Sequence, residues 1–156
     1  MAQVIDTYET VSLLQGGADA FVQGTISTGI VPADGLVWQL RLIEMSFFQS
    51  NLSALSADAY VHWSISRDTK AAICDLDDAD SIFIDGFHTS LTTSGQIFIP
   101  SMYQNRPIEG TIVVEPIIYV QLDSNAIGSA LDATMRVHYD LVKLTEIEIL
   151  RLINNQ

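Results

Sequence analysis

In the stretch Ala59-Tyr60-Val61-His62-Trp63-Ser64-Ile65-Ser66, the odd positions are apolar and the even ones mostly polar. A period of two sends successive side chains to opposite faces of a β-strand, so one face packs and the other meets water or a partner. The same alternation recurs along the chain, broken by polar turns that contain Gly. Helical periodicity is too scarce for strand–helix–strand units, which leaves an all-β fold.

Turns and phase changes outline the strands. Val4 to Leu14 reads as a strand or as an arm that reaches a neighbour, ending at Gly16-Gly17. Ala20 to Ile30 is a β segment closed by Pro32-Ala33-Asp34-Gly35, where Pro presets φ and Gly accepts a positive one. Leu36 to Gln49 is the longest strand. Leu36, Trp38, Leu40 and Leu42 share one face, then Ile43, Met45 and Phe47 carry the pattern, a phase change of the kind a β-bulge or sandwich corner makes.

After Tyr60–Ser66 come a loop or helical turn over 71–80, short strands over 81–85, 87–93 and 96–99, and a loop from Met102 to Gly110. Thr111 to Leu122 reads as one strand, with Pro116 placing it at an edge or bulge because proline has no N–H for a ladder. Ala133 to Leu144 alternates Met135, Val137, Tyr139 and Leu141. In the tail, Thr145 and Glu148 form a capping box, and Ile147, Leu150 and Ile153 share a helical face. These features predict a short C-terminal helix, against a competing strand-like alternation of the same residues.

About eight such strands fit an antiparallel β-sandwich of the jelly-roll type, in which two four-stranded sheets wrap one core. The chain has 156 residues and no linker, repeat or low-complexity run. It is therefore expected to form a single jelly-roll domain over 1–156, with an N-terminal arm over residues 1 to 17 and a C-terminal tail over residues 145 to 156.

Charged residues make up only 17% of the chain and apolar ones 48%, whereas a typical soluble domain is about 25% charged. A lone domain needs charge to cover its surface. The shortage points to surface covered by other subunits, since strand-rich proteins associate through faces and edges. The formal net charge is −12 and the Arg residues are scattered singly, so no basic cluster exists to grip phosphate, and no direct nucleic-acid partner is expected. Neither a signal peptide nor a transmembrane segment is expected, because the N-terminal residues lack a basic region and no apolar run approaches the length of a membrane span.

Candidate chemistry is sparse. Asp75, Asp77, Asp78 and Asp80 form an oxygen-rich run of the sort that binds Ca²⁺, the one cofactor the sequence offers. The run lacks the glycine and the distal glutamate of an EF-hand and reads first as a solvated acidic turn. His62, His88 and His138 match no zinc spacing, and Cys74 stands alone. No Gly-x-Ser-x-Gly elbow is present, and Glu44 and Glu115 are the carboxylates that could meet across a sheet. Trp38 and Trp63 read as core. Asn51-Leu52-Ser53 matches a glycosylation acceptor by chance. The chain is not expected to be an enzyme.

The long bent Leu36–Gln49 strand, the Thr111–Leu122 strand and the closing Ala133–Leu144 strand with its Thr145–Ile153 tail resemble the single jelly-roll capsid proteins of tailless icosahedral viruses. Length and acidity are most similar to the small capsid proteins of membrane-containing viruses of archaea and thermophilic bacteria. The resemblance implies a self-assembling structural protein of the virion, as a capsid, vertex or decoration subunit. Its partners would be further copies of itself, as a homo-oligomer, and other virion proteins. Many simple capsid proteins carry a basic genome-binding arm, but Met1 to Thr10 contains no Lys or Arg. Genome contact then falls to another protein or an internal membrane, or else the chain decorates a shell from outside. The alternative is a carbohydrate- or Ca²⁺-dependent binding module of β-sandwich type. For assembly, the sequence singles out Ile5, Tyr8, Ile149, Leu152 and Ile153, apolar groups near the chain ends where a lone domain has least use for them.

Overall fold

Two antiparallel sheets face each other across the apolar halves of the alternating strands. The computed structural model describes residues 7–47, 59–75, 77–91, 97–98, 103–108 and 110–154. One sheet runs in the order β1 (Tyr8–Leu14), β11 (Asp132–Lys143), β3 (Leu36–Phe47) and β8 (Tyr103–Pro107), with β9 (Ile112–Val113) also on β3. The other runs in the order β2 (Val22–Ser27), β10 (Ile117–Asn125), β4 (Tyr60–Ser66) and β5 (Ser81–His88). A ribbon of β6 (Ser90–Leu91) and β7 (Ile97–Phe98) stands apart, and one helix, α1 (Glu146–Asn154), ends the described chain.

The pairings are nested. β1 pairs with β11, β2 with β10, β3 with β8 and β9, and β4 with β5, all antiparallel. This is one long hairpin, rolled so that its paired strands fall alternately into two sheets, and it defines a jelly roll. Among the described residues the two sheets hold eight structural strands once β8 and β9 are counted as one interrupted strand.

The inner faces form one core. Trp38 stacks on Tyr139 with ring centroids 3.6 Å apart, and Phe47 and Phe87 pack against Trp63 at 5.6 and 6.1 Å. Leu40, Ile43, Met45, Val61, Ile65, Ile118, Val120, Leu122, Met135 and Val137 fill the space between the sheets. An Arg106–Asp85 ion pair ties β8 of one sheet to β5 of the other.

The bulge foreseen in β3 is present one residue earlier than the apolar pattern suggests. Leu40 pairs with Tyr139 and Leu42 with His138, so Arg41 is the extra residue. The inner face therefore runs Trp38, Leu40, Ile43, Met45, Phe47, and Leu42 lies on the opposite face. The Arg41 carbonyl, freed from the ladder with β11, accepts the Ile108 N–H at 2.9 Å, and its guanidinium meets Asp140 at 3.2 Å.

Other expectations change for identifiable reasons. The loop read over Met102–Gly110 contains β8, an edge strand that takes its identity from pairing with β3. Thr111–Leu122 is two strands: the chain leaves β3 after Val113, passes Pro116 and joins β4 and β2 in the opposite sheet as β10. Pro116 marks this crossing, where its missing donor costs nothing. β5 runs unbroken through Gly86 instead of pausing there. Tyr8–Leu14 is a strand of the sheet, the first of the two readings offered for that segment.

Part of the outer face of β4 is closed to water. Ser64 and Ser66 are fully buried, Ser66 donating to the Asp68 carbonyl and Ser64 accepting the Cys74 N–H; they bond Gln121 at 2.7 Å each, and Gln121 reaches Gln23 at 3.1 Å. Gln23 also accepts the Lys70 N–H at 2.9 Å, so the polar network fastens the segment 67–80 to the sheet. Among the described residues no helix is long and apolar enough to cross a membrane.

Candidate assembly surface

The C-terminal helix is fixed at its start by the capping box. The Glu148 carboxylate accepts the Thr145 N–H at 2.8 Å, and Thr145 Oγ1 accepts the Glu148 N–H at 3.4 Å. The Thr145 N–H first, and then the Thr145 hydroxyl, which donates to the same carboxylate at 2.7 Å, hold the Glu148 carboxyl below its usual pKa. The negative charge sits in the first helical turn, where the helix dipole favours it.

Only part of the helix's apolar side is used. Ile149 is 3% exposed and packs on Val37 and Val114, and Leu152 packs beside it against the outside of the five-stranded sheet. The apolar side continues around the helix through Ile153, Leu150 and Ile147, which are 45%, 51% and 65% exposed. A helix lying on one sheet needs a single apolar stripe; this one has a second stripe facing outward.

The exposed stripe borders a groove of about 550 Å³ between α1, Lys143–Leu144 and the Ala33–Gly35 turn. Gly35 holds φ at +69°, and a Cβ there would stand 2.7 Å from the Leu144 carbonyl oxygen, so this close approach requires glycine. Val31 and Leu36, on either side of the same turn, are also exposed.

Of the residues the sequence singled out for assembly, Ile153 lies on this exposed surface. Ile149 and Leu152 are engaged by the chain's own sheet. Tyr8 is half exposed on β1, with the Arg136 guanidinium 4.5 Å over its ring and His138 5.4 Å away. Ile5 lies outside the described residues. Sequence reasoning passed over Ile147, Leu150, Val31 and Leu36, although the shared helical face of Ile147, Leu150 and Ile153 was the available signal.

The acidic run is partly neutralised from within. Lys70 Nζ sits 2.8 Å from Asp78 and 2.9 Å from Asp80, where a bound cation would otherwise stand. The Lys70 contact is the first cause of the depressed Asp78 pKa, and the same hydrogen bonds raise that of Lys70. Asp75 and Asp77 are exposed, and among the described residues no group of three His, Cys, Asp or Glu side chains is placed to hold a metal.

A pH dependence follows. The Asp78 carboxyl binds a proton less readily when folded, so the unfolded chain carries more protons below the ordinary carboxylate value of 3.8. The Lys70–Asp78 contribution is complete above that value and is lost as pH falls through the depressed folded value. Amide exchange in segment 67–80 is therefore expected to accelerate in that acid range, and K70M should remove this step while retaining the acid response of other carboxylates.

The two glutamates considered for catalysis each have their own partners. Glu44 contacts Arg136 at 3.1 Å and His138 at 2.9 Å on the outside of the five-stranded sheet, and Glu115 pairs with Arg67 at 3.1 Å. His62 and His88 come together, Nε2 to Nε2 at 3.0 Å, on the outer face of β4 and β5.

No protein-family model and no curated protein matches this chain. Solved structures with a likeness of strand arrangement include the following two. A chain in the crystal structure of tomato aspermy virus aligns over 86% of this chain and 76% of its own, with 7% identity and a TM-score of 0.44. Dimeric latent PorU from Porphyromonas gingivalis aligns over 92% of this chain but 13% of its own, with 11% identity and a TM-score of 0.40. At these values neither likeness assigns a function.

Proposed function

We propose that this protein is a structural subunit that assembles with copies of itself through subunit contacts rather than chemistry, as a capsid, vertex or decoration protein of a virion. The observation that carries the reading is the second apolar stripe of α1, with Ile147, Leu150 and Ile153 exposed and the groove against the Ala33–Gly35 turn alongside. An exposed apolar stripe along a groove favours a protein partner over water. Two further features support the reading: a jelly-roll topology of the kind many capsid subunits use, and a charge fraction of 17% that leaves little to solvate a free surface. Self-contact is the economical choice of partner, because a closed symmetric ring or shell buries the same patch on every subunit.

Each subunit carries a formal charge of −12, so copies repel at low salt. Light scattering across protein concentration and ionic strength tests the proposal. Masses at multiples of 17.1 kDa, growing with added salt, are expected. A monomer under all conditions would remove self-assembly as an intrinsic property.

A further inference from the structure

We propose that His62 and His88 form a two-imidazole site for a divalent transition-metal ion of tetragonal or octahedral preference, the class of Cu²⁺ and Ni²⁺. The site is independent of the assembly reading.

Strand register creates it. In the β4–β5 ladder His62 stands opposite Gly86 and His88 opposite Tyr60, so the two histidines are diagonal neighbours on one face. Gly86 is what lets the His62 ring lie across β5. A Cβ there would stand 2.4 Å from His62 Cδ2 and 2.7 Å from the Val61 carbonyl oxygen. Tyr60 then holds the ring from its other side, stacked on His62 at 4.5 Å with planes 20° apart.

The two nitrogens are close enough to share one ion. Ligand nitrogens about 2.0–2.1 Å from a metal stand about 2.9 Å apart at a right angle and about 3.4 Å apart at a tetrahedral angle. The observed 3.0 Å fits the right-angled pair of a tetragonal or octahedral ion. Without metal, one Nε2 donates a hydrogen bond to the other; with metal, both present lone pairs to the ion.

The surroundings suit a cation. A cavity of about 280 Å³ opens beside both rings, with Ile73, Asp75 and Gly86 among its walls, and has room for the ion's remaining water ligands. No third His, Cys, Asp or Glu among the described residues completes a protein-only coordination shell, so water fills the other positions.

Full-length, metal-free protein titrated with Cu²⁺ and separately with Ni²⁺ near pH 7.4 tests the site. Calorimetry should give one equivalent of binding, at least ten-fold weaker in His62→Gln and in His88→Gln. Binding of unchanged strength in both variants, or no binding by the wild type, would overturn the proposal. Because a variant can lose its fold, substoichiometric Cu²⁺ added to the wild type gives a second reading by NMR. Broadening of the His62 and His88 ring protons ahead of those of His138 supports the site, and broadening of His138 first refutes it.

Discussion

Replacing Trp63 with alanine is expected to lower stability by about 3–5 kcal/mol, the range for emptying a large aromatic site in a core that relaxes only partly. Trp63 is fully buried and stands at the centre of the sandwich, with Phe47 of one sheet and Phe87 of its own sheet against its ring. The indole therefore bridges the two layers, and its loss opens a void that neither sheet can fill without breaking its ladder. For a chain of this length each kcal/mol moves the melting temperature by about 2–4 °C, so a fall of about 6–20 °C should appear in calorimetry. Trp63→Phe should cost well under half as much. It keeps most of the ring and, among the described residues, Trp63 Nε1 has no hydrogen-bond partner to lose.

The second large effect concerns association. The double substitution Leu150→Glu with Ile153→Glu places two carboxylates on the outward stripe of α1, on a molecule already at −12. Both positions are about half exposed, so the isolated subunit should keep its melting temperature to within a few degrees. A buried interface, by contrast, would have to desolvate two unpaired charges on every copy. The expected result is a loss of at least ten-fold in association strength by sedimentation. Ile149→Glu separates the two roles: Ile149 is 3% exposed against Val37 and Val114, so that variant should detach the helix from the sheet and destabilise the fold itself.

Much of the fold was legible because two-residue alternation is a direct record of which face packs. The inner rows of β3, β4 and β11 could largely be read from spacing, Leu42 being the residue misplaced in β3, and the phase slip in Leu36–Gln49 announced the bulge. β8 was hidden for a physical reason. Tyr-Gln-Asn-Arg-Pro has no alternating pattern, and the segment becomes a strand only because β3 offers it a partner. Thr111–Leu122 looked continuous because its apolar positions keep step across a change of sheet, although Pro116 marked the break.

The site was less legible. Alternation separates two faces of a strand but cannot say whether the polar one meets water or the chain's own loop, as at Ser64 and Ser66. The helix was foreseen, yet which of its apolar residues the sheet would claim depended on where α1 docks, and it claimed Ile149 and Leu152. The histidine pair was out of reach of spacing rules. His62 and His88 are 26 residues apart, and only the β4–β5 register makes them neighbours.

The assembly face is tested most directly by comparing amide hydrogen exchange of the wild-type protein when dilute and when concentrated. The account predicts slower exchange at high concentration over the turn at 31–36 and helix 146–154, with little change elsewhere. Concentration-dependent protection confined to the β2–β10–β4–β5 sheet, or none at all, would contradict it.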